Sequence, residues 1–503
     1  MQLVPAAFRF TGNTVFTAEA LQAVVARRVG HATDLSGLQE AARDVREYYQ
    51  DRGYLLTDAF IPEQALAREG GTVTIEIVEA RVGRVEVKSE GSTAPAPRVF
   101  SAVRRALPPG SHATDHALDL PVLLVRDLSG HDATAVIQPG ARTGEVDLVV
   151  TVRAQPRDYE ASLAIDNHGV RSAGRWRATA GVDASNVSGR GDSLSARVQV
   201  AQITESRLYR LAYTVPVADA GTRATLALAR SEYALGGAFE ALGAHGTANV
   251  AAASLLHPLV RGRTASHWAL ASFEHKQLED RLAAGPDASR RIGLVRVGIA
   301  GNALREGAAS QPGSGALTSY AASVAWGRLG LDGASSLIDA GAGGLRTQGR
   351  FSKFNGELQR TQFLSPRWSI VSSLQAQYAF DNLASAEKMT LGGPVGVRAF
   401  ASGEGVGDHG VLGSAELRYQ LAAASPLPVG VGVFYDAGRV RASRDPVQAS
   451  GNQRTLAGAG FSLLLGGAGR FVAAASVAWQ TSAGRTAAGD RSRAFWLTAQ
   501  TRY

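Results

Sequence analysis

Few stretches of this chain hold residues whose types and spacing could do chemistry. The first is Gly-Asp-Ser-Leu at 191–194, where Ser193 could act as a hydrolase nucleophile. Such a serine needs a histidine to take its proton and a carboxylate to orient that histidine. No histidine with a nearby Asp follows toward the C-terminus, which reads RAFWLTAQTRY. The string also lies on a turn leading into an alternating strand, not ahead of a helix. Overlapping it, Arg190-Gly191-Asp192 could be an adhesion tripeptide, but the same residues are what a tight hairpin turn uses. Gly403-Glu404-Gly405-Val406-Gly407 lacks the Lys-Ser/Thr and the helix that a phosphate cradle needs. The ten histidines are scattered with no ligand pair among carboxylates, and there is no cysteine. No catalytic, cofactor-binding or metal residue is therefore expected, and no enzyme. One stretch is left, GGPVGVRAFASGEGVGDHG at 392–410, glycine-rich around a single arginine, Arg398, with Phe400 beside it. Its meaning depends on the elements that hold it.

Length and composition narrow those elements. A chain of 503 residues is long enough for about three domains. Its 45% hydrophobic and 19% charged content lies well inside the foldable range. No apolar run approaches eighteen residues, so no transmembrane helix is expected. A mean hydropathy of −0.04 looks soluble, yet a membrane β-barrel averages to neutrality because lipid-facing and lumen-facing residues alternate. MQLVPAAFRF already reads as a strand, so a targeting segment is expected to have been removed or replaced by Met1. Charge is uneven. Residues 1–153 hold 16 of the 52 basic and 19 of the 44 acidic residues, which leaves 36 basic and 25 acidic for the rest. Basicity confined to one region fits nucleic acid, an anionic membrane surface or a polar channel.

Residues 8–79 follow a strand–helix–helix–strand–strand order. FRFTGN opens it. Thr17 can cap a helix whose stripe is Leu21, Val24, Val25 and Val29. A second helix begins near Asp34, buries Leu38, Ala41, Ala42, Val45 and Tyr48/Tyr49, and stops at Gly53. YLLTDAFIP and TVTIEIVEA read as strands. The order repeats more faintly from GRVEVKSEG, through PRVFSAVRRAL and a helix over DHALDLPVLLVRDL interrupted at Pro121, to DATAVIQPG and GEVDLVVTVRA.

From about Arg157 the helical period disappears. In RWRATAGVDA, Trp176, Ala178, Ala180 and Val182 share one face, with Arg175, Arg177, Thr179 and Asp183 opposite. FVAAASVAWQT and AFWLTAQTRY alternate in the same way. Such segments start near 158, 174, 191, 207, 221, 245, 263, 290, 316, 350, 367, 409, 427, 454, 469 and 494. Sixteen is an even number, as single-chain outer-membrane barrels have. Short turns (GRGD, ADAG, GGAG) alternate with longer polar loops. Trp176, Tyr209, Trp268, Trp326, Trp368 and Trp479 lie near strand ends, as interfacial girdles require. No blade repeat of a soluble propeller is present. An all-β transmembrane barrel of about 16 antiparallel strands is expected, preceded by two small α+β domains.

This organisation resembles the outer-membrane transporters of two-partner secretion, the TpsB proteins of the haemolysin and filamentous-haemagglutinin type. The resemblance covers nearly the whole chain. FRFTGNTVF and YYQDRGYLLTDAFIPEQ resemble parts of a first polypeptide-transport-associated (POTRA) domain. DNHGVRSAGRWRATAGVDASNVSGRGDSL resembles the first barrel hairpins. GGPVGVRAF resembles the motif of the long sixth loop, and FYDAG at 434–438 the Phe-x-Asp-x-Gly motif of the thirteenth strand. The domains implied are POTRA 1 at 1–80, POTRA 2 at 81–155 and the barrel at 156–503, with a lumen-inserted loop near 381–408.

Carried over residue by residue, Arg398 matches the loop arginine that folds back into the lumen, and Asp436 the strand carboxylate that receives it. A bidentate Arg–carboxylate pair is worth far more there than on a surface. Phe400 and Phe434 would pack beside it, with Gly392, Gly393, Val397 and Gly438 completing the two motifs. The family has glycine where this chain has Ala399, which puts the shape of the loop tip in question. Many members carry a plugging helix before the first POTRA domain; here the first strand begins by residue 8, so that helix is missing either from this sequence or from the protein. The resemblance implies a pore that exports a large secreted partner (TpsA type) from periplasm to cell surface without ATP. The POTRA edge strands would bind that partner, and a monomeric barrel would sit in outer-membrane lipid, without cofactor or nucleic acid. Two alternatives stay open: an insertase of the same superfamily, and a general porin with a periplasmic appendage.

Overall fold

A computed structural model describes residues 3–65, 69–91, 97–154, 158–202, 206–283, 287–307, 313–421, 427–448, 450–466, 471–482 and 493–503. The chain forms two compact units, Met1–Pro156 with Asp219–Gly221, and Arg157–Ala218 with Thr222–Tyr503. The boundary expected at 155/156 lies outside the described residues.

The first unit holds two three-stranded sheets of like order. In the first, β1 (Val4–Thr11), α1 (Ala18–Val25), α2 (Leu35–Gln50), β2 (Asp58–Phe60) and β3 (Glu69–Val78) follow one another. The sheet order is β1-β3-β2, with β1 parallel and β2 antiparallel to β3. Thr17 caps α1 by accepting from the Ala20 N–H, and Asp34 caps α2 by accepting from Gly37 at 2.9 Å. On α2, Leu38, Ala41, Ala42, Val45 and Tyr49 are buried together. Gly53, at φ +88°, turns the chain out of the helix where a side chain would be strained.

Behind this core Glu79 accepts from the N–H of Thr14 (2.7 Å) and Val15 (2.8 Å), from the Tyr49 hydroxyl (2.8 Å) and from the Thr14 hydroxyl. Burial pushes the Glu79 carboxyl up, but these hydrogen bonds outweigh it and hold the group below the usual carboxylate range. The Tyr49 phenol is raised, by burial and by the carboxylate it donates to.

The second sheet contains β4 (Arg81–Glu90), β5 (His131–Pro139) and β6 (Glu145–Ala154) in the order β4-β6-β5, covered by α3 (Pro97–Ala106) and α4 (Asp115–Arg126). Here one expectation is corrected: α4 is not interrupted at Pro121 but runs through it. Proline lacks an N–H for the Ala117 carbonyl. Packing of Leu118, Pro121, Leu124 and Val125 into the core holds the helix together regardless.

The second unit is a closed antiparallel barrel of sixteen strands. Its first five are β7 (Asp158–Asp166), β8 (Arg177–Ser185), β9 (Ser193–Ala201), β10 (Arg207–Pro216) and β11 (Arg223–Ala234). Five longer ones follow, β12 (His245–Arg261), β13 (Ala265–Arg281), β14 (Ala288–Glu306), β15 (Gly315–Leu331) and β16 (Gly349–Phe363), and then β17 (Trp368–Ala379). A long connection carries the small hairpin β18 (Met389–Thr390) and β19 (Val406–Gly407). Then come β20 (His409–Gln420), β21 (Val429–Arg441), β22 (Gln453–Gly466), β23 (Phe471–Gln480) and β24 (Arg493–Arg502), and β24 pairs with β7 to close the barrel. Every barrel strand starts within three residues of its expected position. Beyond Gly466, the GGAG turn lies outside the described residues.

Alternation decides which residues face out. Leu163, Leu226, Leu228, Val433, Phe461 and Phe495 are all exposed on the outer face, as a lipid-facing band must be. Trp176, Tyr209, Trp326, Trp368 and Trp479 share that exposure. Trp268 does not belong to the girdle. It has the same parity on β13 as Glu274 and Lys276, whose side chains point inward, so it faces the lumen. Ser193 opens β9 as an ordinary strand residue. Asp192, fully buried, pins the preceding turn through Ser188 N–H and the Tyr213 hydroxyl.

Candidate functional site

The site begins with what the lumenal face of β20–β24 lacks. On β21 the outward residues are Val429, Val431, Val433, Tyr435 and Ala437. The inward ones are Gly430, Gly432, Phe434, Asp436, Gly438 and Val440, and three of these six are glycine. Across the ladder Asp436 pairs with Ser414 of β20 and Gly458 of β22, and Phe434 with Glu416 and Gly460. A wall so stripped of side chains leaves a recess, and residues 391–405 fill it.

That segment is a compact turn of its own. Val397 N–H donates to the Leu391 carbonyl (2.7 Å), Phe400 to Val397 (3.0 Å) and Gly393 to Phe400 (3.1 Å). Gly393 sits at φ +119°, a torsion that side chains resist, while Gly392 donates to Glu404 at 2.9 Å and bridges to Val397. Leu391, Val397, Ala399 and Phe400 are buried against Leu412, Phe434, Val440, Leu456 and Ala478 of the wall. Gly438 makes room for Leu391, since a Cβ there would lie 2.7 Å from the leucine Cδ2.

Arg398 extends from this plug into the recess. Its Nε donates to Asp436 Oδ2 and its Nη2 to Oδ1, both at 2.9 Å, and its backbone N–H reaches Oδ2 at 3.1 Å. Nη1 donates to Glu416 Oε2 at 2.7 Å. The guanidinium carbon lies 3.2 Å above the centre of the Phe434 ring, a cation–π contact. Asp436 is wholly buried, which makes it dependent on this cation. Its remaining capacity is met by the Ser414 hydroxyl at 2.7 Å. Glu416 in turn accepts from Arg418 Nε and Ser462 Oγ, each at 2.8 Å. From β24, Trp496 Nε1 donates to the Arg398 carbonyl at 2.7 Å. The arrangement has no nucleophile or base aimed at open space. What it can do is hold a loop inside a barrel.

Ala399 fits without strain. Among the described residues only Asn186 and Arg346 are non-glycines with a left-handed φ, so Ala399 does not need the freedom that glycine would give. Its methyl rests where a Cβ on Gly458 would come within 2.4 Å, so the glycine at 458 makes room for it.

The sequence reading brought Arg398, Asp436, Phe400 and Phe434 together but missed Glu416, Ser414, Ser462 and Trp496. The alternation of GSAELRYQ was a usable signal, because it puts Ser414, Glu416 and Arg418 on one face. Trp496 also stood on the polar face of the last strand, 98 residues from its partner.

Comparison with known proteins agrees with this architecture. The family model described as haemolysin secretion/activation protein ShlB/FhaC/HecB matches residues 144–465, and a POTRA domain of ShlB type matches 4–80. The heme/hemopexin transporter protein HuxB of Haemophilus influenzae is 26% identical over 430 residues, 85% of this chain and 74% of that protein. The outer membrane transporter CdiB of Dickeya dadantii is 23% identical over 84% of this chain and 72% of its own. The solved structure of CdiB from Escherichia coli superposes with a TM-score of 0.77 at 19% identity, covering 100% of this chain and 91% of that one. With a sixteen-stranded barrel, a POTRA module ahead of it and the sixth outer connection anchored in the lumen, the chain belongs to the ShlB/FhaC/HecB family of two-partner secretion transporters, barrels of the outer membrane whose POTRA domains are periplasmic.

Proposed function

We propose that this transporter exports one large exoprotein of the adhesin or haemolysin type, unfolded, from periplasm to cell surface without ATP. The observation that carries the reading is the plug formed by residues 391–405, which occupies the lumen and is held to the wall by the ion pairs of Arg398 with Asp436 and Glu416 and of Glu404 with Arg454. A general porin has no need of such an anchor. In this reading the plug is the resting state, and arrival of the partner displaces it.

Capture begins on the periplasmic modules. β5 is an edge strand of its sheet, with Val136 and Ile137 exposed, and an extended partner segment could add to it as a further strand. Folding of the partner outside supplies direction, since the periplasm holds no nucleotide. The barrel works as a monomer in outer-membrane lipid. HuxB is a heme/hemopexin transporter by name, and a partner of related purpose is one candidate within this class.

The test is a strain that lacks this protein. Its partner exoprotein is expected to stay inside the cell, and returning the gene is expected to restore secretion. Normal secretion in the deleted strain overturns the proposal. In planar bilayers, removal of 385–408 is expected to raise conductance, whereas an unchanged pore would favour a simple porin.

A further inference from the structure

The chain has only four lysines against forty-eight arginines, Lys88, Lys276, Lys353 and Lys388. Three of the four gather around the segment that leads into the plug. Glu387, 3% exposed, lies between two of them: Lys276 Nζ of β13 is 2.8 Å from its Oε1, and Lys353 Nζ of β16 is 3.0 Å from its Oε2. Lys353 also donates to the Glu387 carbonyl at 2.7 Å, and Gln377 Nε2 donates to the same carbonyl at 3.2 Å. Beside them Lys388 pairs with the buried Asp408 at 3.0 Å, so entry and exit of the loop are tied to each other. Under Glu387, Leu383 and Ala384 cover a lumenal apolar patch of Ile292, Leu294, Ala325, Leu329 and Phe351. This wall, β13–β17, is not the one that receives Arg398.

We propose that Glu387, clamped by Lys276 and Lys353, is a second positioning anchor of the lumenal loop, and that it releases independently of the Arg398 anchor and before it. The chemistry supports that order. Arg398 is a planar fork bound bidentately, whereas each lysine is a point charge on a flexible stem with fewer geometric demands. The entry limb would then swing free while the plug stays seated, which gives the transporter a half-open state. This rests on the loop being the gate, but its test does not depend on secretion.

The chain has no native cysteine, so single cysteines report cleanly. Ala384→Cys probes the limb and Val397→Cys the plug, each labelled with a membrane-impermeant maleimide on purified protein in liposomes. In Glu387→Gln, labelling at 384 is expected to rise about a hundredfold, as for loss of a buried ion pair, while labelling at 397 stays slow. In Asp436→Ala, labelling at 397 should rise. If both positions respond together to Glu387→Gln, or neither does, the independent anchor is wrong. Should Glu387→Gln fail to fold, as judged by the barrel's heat-shifted gel mobility, Lys276→Gln asks the same question and leaves Lys353 in place.

Discussion

The loop is held at two places by walls built on opposite plans. Where Arg398 docks, glycines at 430, 432, 438, 458 and 460 open a recess among the wall's apolar residues, and Phe400, Val397 and Ala399 supply the side chains that fill it. Where Glu387 docks, the wall carries its own bulk, Ile292, Leu294, Leu329 and Phe351, and the loop contributes only Leu383 and Ala384. The plug is a key in a recess. The limb is a strap laid over a full surface. Their ion pairs differ accordingly, with one arginine shared by two carboxylates in the first and one carboxylate shared by two lysines in the second. The comparison teaches that barrel alternation fixes which residues face inward and leaves open whether those positions are filled or empty. Vacancy gives a docking site its shape, and charge gives it its lock.

The largest break in this comparison should come from Asp436→Ala. The guanidinium would keep Glu416 but lose its bidentate acceptor, and breaking a buried pair from one side costs about 3–5 kcal/mol. Release of the plug, read as maleimide labelling at Val397→Cys, is expected to rise by two or more powers of ten, with the limb at residue 384 still protected. Unchanged protection at 397 would mean that apolar packing alone seats the plug.

A smaller effect is expected from Arg398→Lys, which gives the plug the limb's kind of cation. Lysine keeps the charge but cannot bond both Asp436 oxygens and Glu416 at once, a loss of about 2–3 kcal/mol for hydrogen bonds to charged groups. Labelling at 397 should then fall between wild type and Asp436→Ala. A value equal to wild type would erase the distinction between the two anchors.

Smallest is Gly458→Ala, which fills the recess rather than breaking the lock. The new methyl would meet that of Ala399, costing about 1–3 kcal/mol as overpacking does. Ala399→Gly is expected to restore the plug in the double variant, and coupling between these neighbours is read from the four-variant cycle. If the double variant is no better than Gly458→Ala alone, the close approach of these two positions is not what limits the tip.

Much of this was legible in the residues themselves. Period-two alternation located all sixteen strands, because a lipid-facing residue and a lumen-facing one must trade places at each step. Capping and helical stripes located α1 and α2, and two local motifs named Arg398 and Asp436 on the right elements. Other features were not legible. Pro121 argued for a broken helix, yet the packing of its neighbours kept it whole. Trp268 stood near a strand end like its fellows, and only register showed that it points inward.

The position of the strands and the alternation of their faces were thus determined by sequence, since each follows from local period, and the anchoring pair followed from the resemblance of two short motifs to those of the family. The tertiary structure alone decided the partners that lie far along the chain: Glu416 and Trp496 around Arg398, Gly458 opposite Ala399, and the two lysines around Glu387. The reason is geometric. A strand's alternation says which way a side chain points, but which chain segment meets it inside a closed barrel depends on where a long loop folds back, and no local pattern encodes that distance.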